Sequence, residues 1–193
     1  MTLAIALTSS TPLPAIPAIE ALILSAKTGS RDALESLLRA IEQRIYLFCC
    51  RVLADSHQAE DATQETLFLI CRHISSYREG SNFWAWAHTI SLRQCQTLRR
   101  RQHATEPLPE THPASTPEPE RTQQFQHVLA ALTALSEKER TALVLTEIEG
   151  YTSNEAARLL MCLPMTVRSR ASAARRKVRQ ALSNHYPELR DQA

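Results

Sequence analysis

Two groups of side chains in this sequence have types and spacings suited to recognition chemistry. Between Thr152 and Leu182 the cations Arg158, Arg168, Arg170, Arg175, Arg176, Lys177 and Arg179 stand against one carboxylate, Glu155. Between residues 55 and 65 the balance reverses, with Asp55, Glu60, Asp61 and Glu65 and no lysine or arginine. A formal net charge of +2 averages this asymmetry away. The asymmetry says more about partners than the mean does: one end suits an anionic partner, the other a basic one. Bond-making chemistry has no comparable signal. There is no phosphate-cradling glycine loop with a following Lys, no HExxH, and no Ser–His–acid set that spacing would support. His57, His73 and His88 match no metal-ligand spacing. No enzymatic activity, cofactor or metal is therefore expected. The cysteines (49, 50, 71, 95 and 162) form no CxxC pair. They read as small buried side chains of a protein in a reducing cytoplasm.

The elements that must carry these groups are helical. Only 3 of 193 residues are glycine, and the alanine- and leucine-rich remainder favours helices over a turn-rich β architecture. Leu34, Leu37, Leu38, Ile41, Ile45 and Phe48 recur at three and four, an amphipathic helix within residues 20–52. Thr28, Gly29 and Ser30 can interrupt or cap it. A second helix spans residues 55 or 56 to 75, with Ala62, Leu69, Ile70 and His73 or Ile74 inward. Residues 75–82 form a loop, and a third helix runs over 83–100 with Phe83, Ala87 and Ile90 repeating. Residues 101–124 hold five prolines and one bulky apolar residue, Leu108. Proline removes backbone donors, so this stretch reads as a linker between two modules. Residues 1–19, interrupted by Pro12, Pro14 and Pro17, read as a loose leader. No run reaches the ~18–20 apolar residues a membrane span needs.

The second module opens with the stripe Phe125, Val128, Leu129, Leu132 and Leu135. Ser136 with Glu139, and Thr152 with Glu155, have the spacing of capping boxes and predict two helix starts. Gly150 ends the helix between them, and Pro164 suits the first turn of a final helix over 164–182. Val167, Ala171, Ala174 and Val178 recur at four, three and four and should face the core. Arg168, Ser169, Ser172, Arg175, Arg176 and Arg179 fall elsewhere. Two helices joined by about three residues, the second basic, are a helix-turn-helix candidate whose N-terminal half would reach base edges while flanking arginines grip phosphates. A solvated charged helix face would show the same periodicity. The fold class is thus all-α: two small helical domains joined by a flexible Pro-rich linker, the second containing the helix-turn-helix.

"AEDATQETLFLICRHISSYREGSNFWAWAHTI" and "LSEKERTALVLTEIEGYTSNEAARLL … TVRSRASAARRKVRQAL" resemble, in order, the two domains of bacterial extracytoplasmic-function (group 4) RNA polymerase sigma factors of the sigma-70 family. The resemblance covers roughly residues 25–101 and 123–182. It implies a region 2-like domain over 20–101, a linker over 102–122, a region 4-like domain over 123–186 and a tail over 187–193. It implies a cytoplasmic protein that directs core polymerase to promoters. Its partners would be the clamp coiled coil of the largest subunit, the β flap, promoter DNA and an anti-sigma factor. Asp61 and Glu65, four apart on one helical face, match the acidic core-binding positions, with Gln64 and Phe68 beside them. Tyr77, Asn82 and Phe83 match the loop that captures an unstacked −10 base. Trp84 and Trp86 lie next to it, Trp84 as either a stacking surface or a core contact. Arg93, Arg99, Arg100 and Arg101 would follow the −10 backbone. Thr166, Arg168, Ser169, Arg170, Ser172, Arg175, Arg176 and Arg179 would meet the −35 element.

The sequence also departs from that family. Arg93 and Thr97 replace a common asparagine and aspartate, and Met161 and Met165 replace usual glycines. Pro164 sits one place beyond where many relatives have proline. A methionine held at positive φ would cost about 1 kcal/mol, so another turn geometry is one expectation. Two other functions fit parts of the pattern: a helix-turn-helix regulator acting without polymerase, and a sigma-like decoy that binds an anti-sigma factor.

Overall fold

The computed structural model describes residues 16–105 and 119–182, with side chains over 19–101 and 126–182. Every regular element among the described residues is helical. They sort into two compact units: α1, α2 up to Cys50, α3 and α4 belong to one, and α5 to α8 to the other.

In the first unit, α1 (Ile16–Lys27) starts inside the stretch expected to be leader, whose residues 1–15 lie outside the described residues. Ile19, Ile23 and Ala26 are its buried side chains. Gly29, at φ +96, ends it: its N–H donates to Ala26 and that of Ser30 to Ser25, which satisfies carbonyls that a helix end leaves open. Ser30 then caps α2 (Arg31–Leu53), its hydroxyl accepting from Ala33 N at 3.3 Å. Leu37, Ile41, Ile45 and Phe48 form the buried stripe of α2, while Leu34 and Leu38 are half-buried.

α3 (Ser56–His73) buries small residues, Ala59, Ala62, Thr63 and Thr66, together with Ile70. Both threonine hydroxyls donate to the carbonyl four residues back at 2.6 Å, so neither hydroxyl is stranded in the packing. Small side chains let this face pack closely on α4 (Phe83–Thr105). Leu69, expected inward, is half-buried, and of the alternatives His73 and Ile74 it is Ile74, in a 3-10 turn over Ile74–Ser76, that is buried. Ile90 is half-buried; the core side of α4 is instead Phe83, Ala87, His88, Ser91, Leu92 and Cys95.

Helix reaches into both ends of the expected linker, since α4 runs to Thr105 and α5 (Pro119–Thr133) begins at Pro119. Residues 106–118 between them, and the tail from 183, lie outside the described residues, as does the Phe125 side chain. In the second unit α5 buries Val128, Leu129, Ala131 and Leu132. Ser136 caps α6 (Glu137–Leu143) and Thr152 caps α7 (Ser153–Leu159), each through a complete capping box. Between them the helix widens into a π turn, Val144–Ile148, before Gly150 at φ +74. The capping pattern carried no mark of that turn. α8 (Pro164–Leu182) buries Val167, Ala171, Ala174, Val178 and Leu182 against α5, α6 and α7. Each large apolar side chain so buried contributes about 1.5–3 kcal/mol, an exposed ion pair at most about 1. The apolar stripe therefore sets which face of α8 is left outward.

Candidate nucleic-acid and partner interfaces

The outward face of α3 follows from its inward one. With Ala62, Thr63 and Thr66 buried, residues 61, 64, 65 and 68 share the opposite side, and Asp61, Gln64, Glu65 and Phe68 are all exposed. Phe68 is 59% accessible, an uncommon position for a phenylalanine. Beside this ridge lies a groove between α2 and α3 of about 210 Å³, lined by Arg39, Glu42, Gln43, Tyr46, Glu60, Thr63 and Gln64. Burial pushes the Tyr46 phenol up, assisted by its hydrogen bond with Cys50, so the groove floor is a neutral hydroxyl. Glu42 and Glu60 extend the acidic character into it. Sequence reading missed the groove because its two walls come from separate helices.

The loop before α4 is held from within. Tyr77 and Phe83 are each only 6% exposed. The Tyr77 ring meets Phe83 edge-on at 5.7 Å and Trp86 at 5.3 Å, and its hydroxyl donates to the Ser81 carbonyl. Neither ring presents an open face, and both brace the loop that was expected to capture an unstacked base. Asn82 is exposed, but its side-chain oxygen accepts from Ala85 N at 3.1 Å and caps α4. Trp84 is covered on one side by Arg44, whose guanidinium carbon lies 3.9 Å from the ring centroid. That contact packs one face of Trp84, which is half-buried. Trp84 also approaches His88 at 5.9 Å, and His88 stacks on Phe48 at 4.2 Å. Burial, and then the Arg44 charge, hold the His88 pKa down to about 3, so this imidazole is neutral. Farther along α4, Arg93, Arg100 and Arg101 are exposed and Arg99 is half-buried.

In the second unit Arg168, Ser169, Ser172, Arg176 and Arg179 are exposed on α8, away from its buried stripe, and Thr166 is half-buried. The cationic face is smaller than its composition suggests. Lys177 donates to Glu139 at 2.8 Å, and Arg175 lies 3.6 Å from Glu147. Arg170 turns back toward the Cys162 sulfur at 3.9 Å. Glu139 is held down at about 2, first by Lys177 and then by Ser136, which ties the α6 cap to α8. Arg168, Arg176 and Arg179 have no carboxylate partner among the described residues.

The connection between α7 and α8, residues 160–163, keeps a left-handed residue despite lacking glycine. Met161 has φ +50. The Cys162 N–H donates to Ala157 O at 3.0 Å and the Met161 N–H to Arg158 O at 3.4 Å, the pair of bonds that closes a helix around a left-handed residue. The expectation of a different geometry here is thereby corrected: the backbone bonds hold Met161 where glycine would be cheaper. Among the described residues no group of three or more His, Cys, Asp or Glu is placed to hold a metal ion, and no helix is long and apolar enough to cross a membrane.

Two family models match this chain, Sigma-70 region 2 over residues 37–105 and Sigma-70 region 4 over residues 125–178. The ECF RNA polymerase sigma factor SigE of Mycolicibacterium smegmatis is 34% identical over 181 residues, 86% of this chain and 69% of that protein. The chain belongs to the extracytoplasmic-function sigma factors of the sigma-70 family. SigM of Mycobacterium tuberculosis, also an ECF RNA polymerase sigma factor, is 30% identical over 159 residues, 80% of this chain and 79% of that one. Among solved structures, the sigma factor RpoE of Bartonella quintana, determined in complex with the anti-sigma factor NepR, superposes with a TM-score of 0.62 at 25% identity, covering 77% of this chain and 96% of that one. This sigma factor thus serves transcription initiation and is not an enzyme. Its region 2 match takes in the acidic ridge and the aromatic loop; its region 4 match takes in α8 as far as Val178.

Proposed function

We propose that the acidic ridge of α3 docks this sigma factor on the clamp coiled coil of the largest polymerase subunit, while α8 acts as the recognition helix of a helix-turn-helix on the −35 element. The observation that carries this reading is the exposed set Asp61, Gln64, Glu65 and Phe68 on one helical face. Two carboxylates around an uncovered phenyl ring are complementary to a basic helix with an apolar centre. On α8, Arg168, Ser169 and Ser172 lie toward the N-terminal half and meet base edges, with Thr166 beside them, while Arg176 and Arg179 bind phosphates. Arg170 and Arg175 act from their contacts with Cys162 and Glu147. At the −10 element, Tyr77, Phe83 and Trp86 brace the loop. Asn82 faces the unstacked strand, Trp84 borders it, and Arg93, Arg99, Arg100 and Arg101 follow its backbone. The second unit also sits on the β flap, and an anti-sigma factor covers these faces before release, as the complex of the Bartonella relative with NepR suggests by analogy.

The test is core affinity. Asp61→Arg puts a like charge against the partner's cations and lowers affinity for core polymerase at least about 30-fold. Glu20→Arg, an exposed charge reversal on α1, leaves it unchanged. Equal affinities for wild type and Asp61→Arg would remove the docking assignment. Core binding without promoter-dependent run-off transcription would favour the decoy, and promoter binding without core would favour a stand-alone regulator.

A further inference from the structure

Three large apolar side chains surround the start of α8 and are covered by nothing among the described residues. Met161 is 91% exposed, Leu163 72% and Met165 71%. Met161 is the more telling because its backbone is also unfavourable. A left-handed non-glycine residue costs about 1–2 kcal/mol; the two backbone bonds of the turn offset part of this, but the Met161 side chain, in solvent, adds no packing. Strain of this kind beneath a side chain that is 91% exposed points outward to a partner.

The position narrows the partner's chemistry. Met165 lies three residues before Arg168 and four before Ser169, so all three share one side of the helix, and Met161 and Leu163 precede it in the turn. The apolar ridge is therefore continuous with a face carrying Arg168, Arg176 and Arg179, which have no carboxylate partner among the described residues. A ligand suited to both presents regular anionic charge with apolar groups set deep between. Duplex DNA does this in its major groove, where the thymine C5-methyl is the one apolar group on a base edge. The N-terminal end of a recognition helix is the part that reaches those edges. Methionine, unbranched and polarizable, follows such a methyl without demanding one rotamer.

We infer that Met165, supported by Met161 and Leu163, selects thymine in the −35 element by contact with its methyl group. This rests on the reading of α8 as the −35 recognition helix, and the test separates the two. Holoenzyme reconstituted with core polymerase is bound to a promoter selected from a random library, and each −35 thymine is replaced in turn by deoxyuridine, which lacks only the methyl. At one or more positions the wild type should bind about fourfold more weakly on losing the methyl. Met165→Ala should bind thymine DNA as weakly as the wild type binds uracil DNA and should not sense the replacement. Met161→Gly relieves the left-handed strain, so it should raise thermal stability while reducing methyl sensitivity, an outcome that unfolding cannot imitate. Promoter binding by the wild type that ignores every replacement, or undiminished sensitivity in Met165→Ala, would overturn the inference and leave −35 reading by α8 intact. Variants that lose capture by a protein partner yet keep methyl sensitivity would assign the ridge to that protein instead. Failure to select any −35 sequence would remove the underlying reading as well.

Discussion

The loop at residues 77–83 and the turn at residues 160–163, with the first residues of α8, are both rich in large apolar side chains and dispose of them in opposite ways. The loop folds Tyr77 and Phe83 inward against Trp86, and Tyr77 ties its hydroxyl to the Ser81 carbonyl. The turn closes mainly with backbone bonds and leaves Met161, Leu163 and Met165 outside. Aromatic rings of 150–250 Å² stabilise a loop when they pack on one another. The turn needs no such support, because residues 157–162 satisfy its own carbonyls and Val167 anchors the next helix. Apolar groups therefore hold the first region together, while in the second they are available to a partner.

The largest expected effect tests whether the interior of the first unit tolerates charge. His88 is neutral when folded, with its pKa held at about 3, whereas an unfolded histidine takes a proton near 6.5. The unfolded chain thus binds more protons over that interval. Stability is complete above pH 6.5 and falls as pH drops toward 3, by on the order of 4 kcal/mol. Trp84 and Trp86, the only tryptophans of the chain, lie in this unit, so their fluorescence reports its unfolding. Urea unfolding followed by that signal should show the slope in the wild type and a flatter one in His88→Phe; parallel curves would refute the assignment. Next in size is Tyr77→Ala, which removes a packed ring and should cost about 3 kcal/mol by the same fluorescence. A loss below 0.5 kcal/mol would mean the loop does not depend on its rings. The smallest effect lies in the second unit. Glu139→Gln removes the carboxylate that holds Ser136 and Lys177. It should cost about 1 kcal/mol above pH 4.5, a difference that vanishes as pH falls toward 2 and the wild-type carboxyl protonates. Circular dichroism should register it while tryptophan fluorescence does not move.

Much of the fold was legible because helices are local. Ser136 with Glu139 and Thr152 with Glu155 satisfy each other's backbone within three residues, so the sequence pattern and the structure coincide. Gly29 and Gly150, both at positive φ, stop helices where glycine costs least. The buried stripe of α8 followed from its spacing, and so did its outward arginines and serines. Legibility failed where the deciding contact was distant or had no residue signature. Leu69 fits the helical period but lies at the edge of the buried face. The π turn over Val144–Ile148 has no characteristic residue. Helix continues past Arg100 to Thr105 and resumes at Pro119, within a stretch where composition alone suggested a linker.

The sequence by itself determined the helices, their caps, the separation into two basic and acidic specialisations, and the family to which they belong, because each rests on residues within a few positions of one another or on their order along the chain. Tertiary structure decided which of the conspicuous side chains are available. It set Arg44 over Trp84 and joined Lys177 to Glu139 across 38 residues. It turned Tyr77 and Phe83 inward and left Met161, Leu163 and Met165 outside. Those outcomes depend on how separate helices meet, and a side chain's type does not say whether a neighbour will be there to cover it.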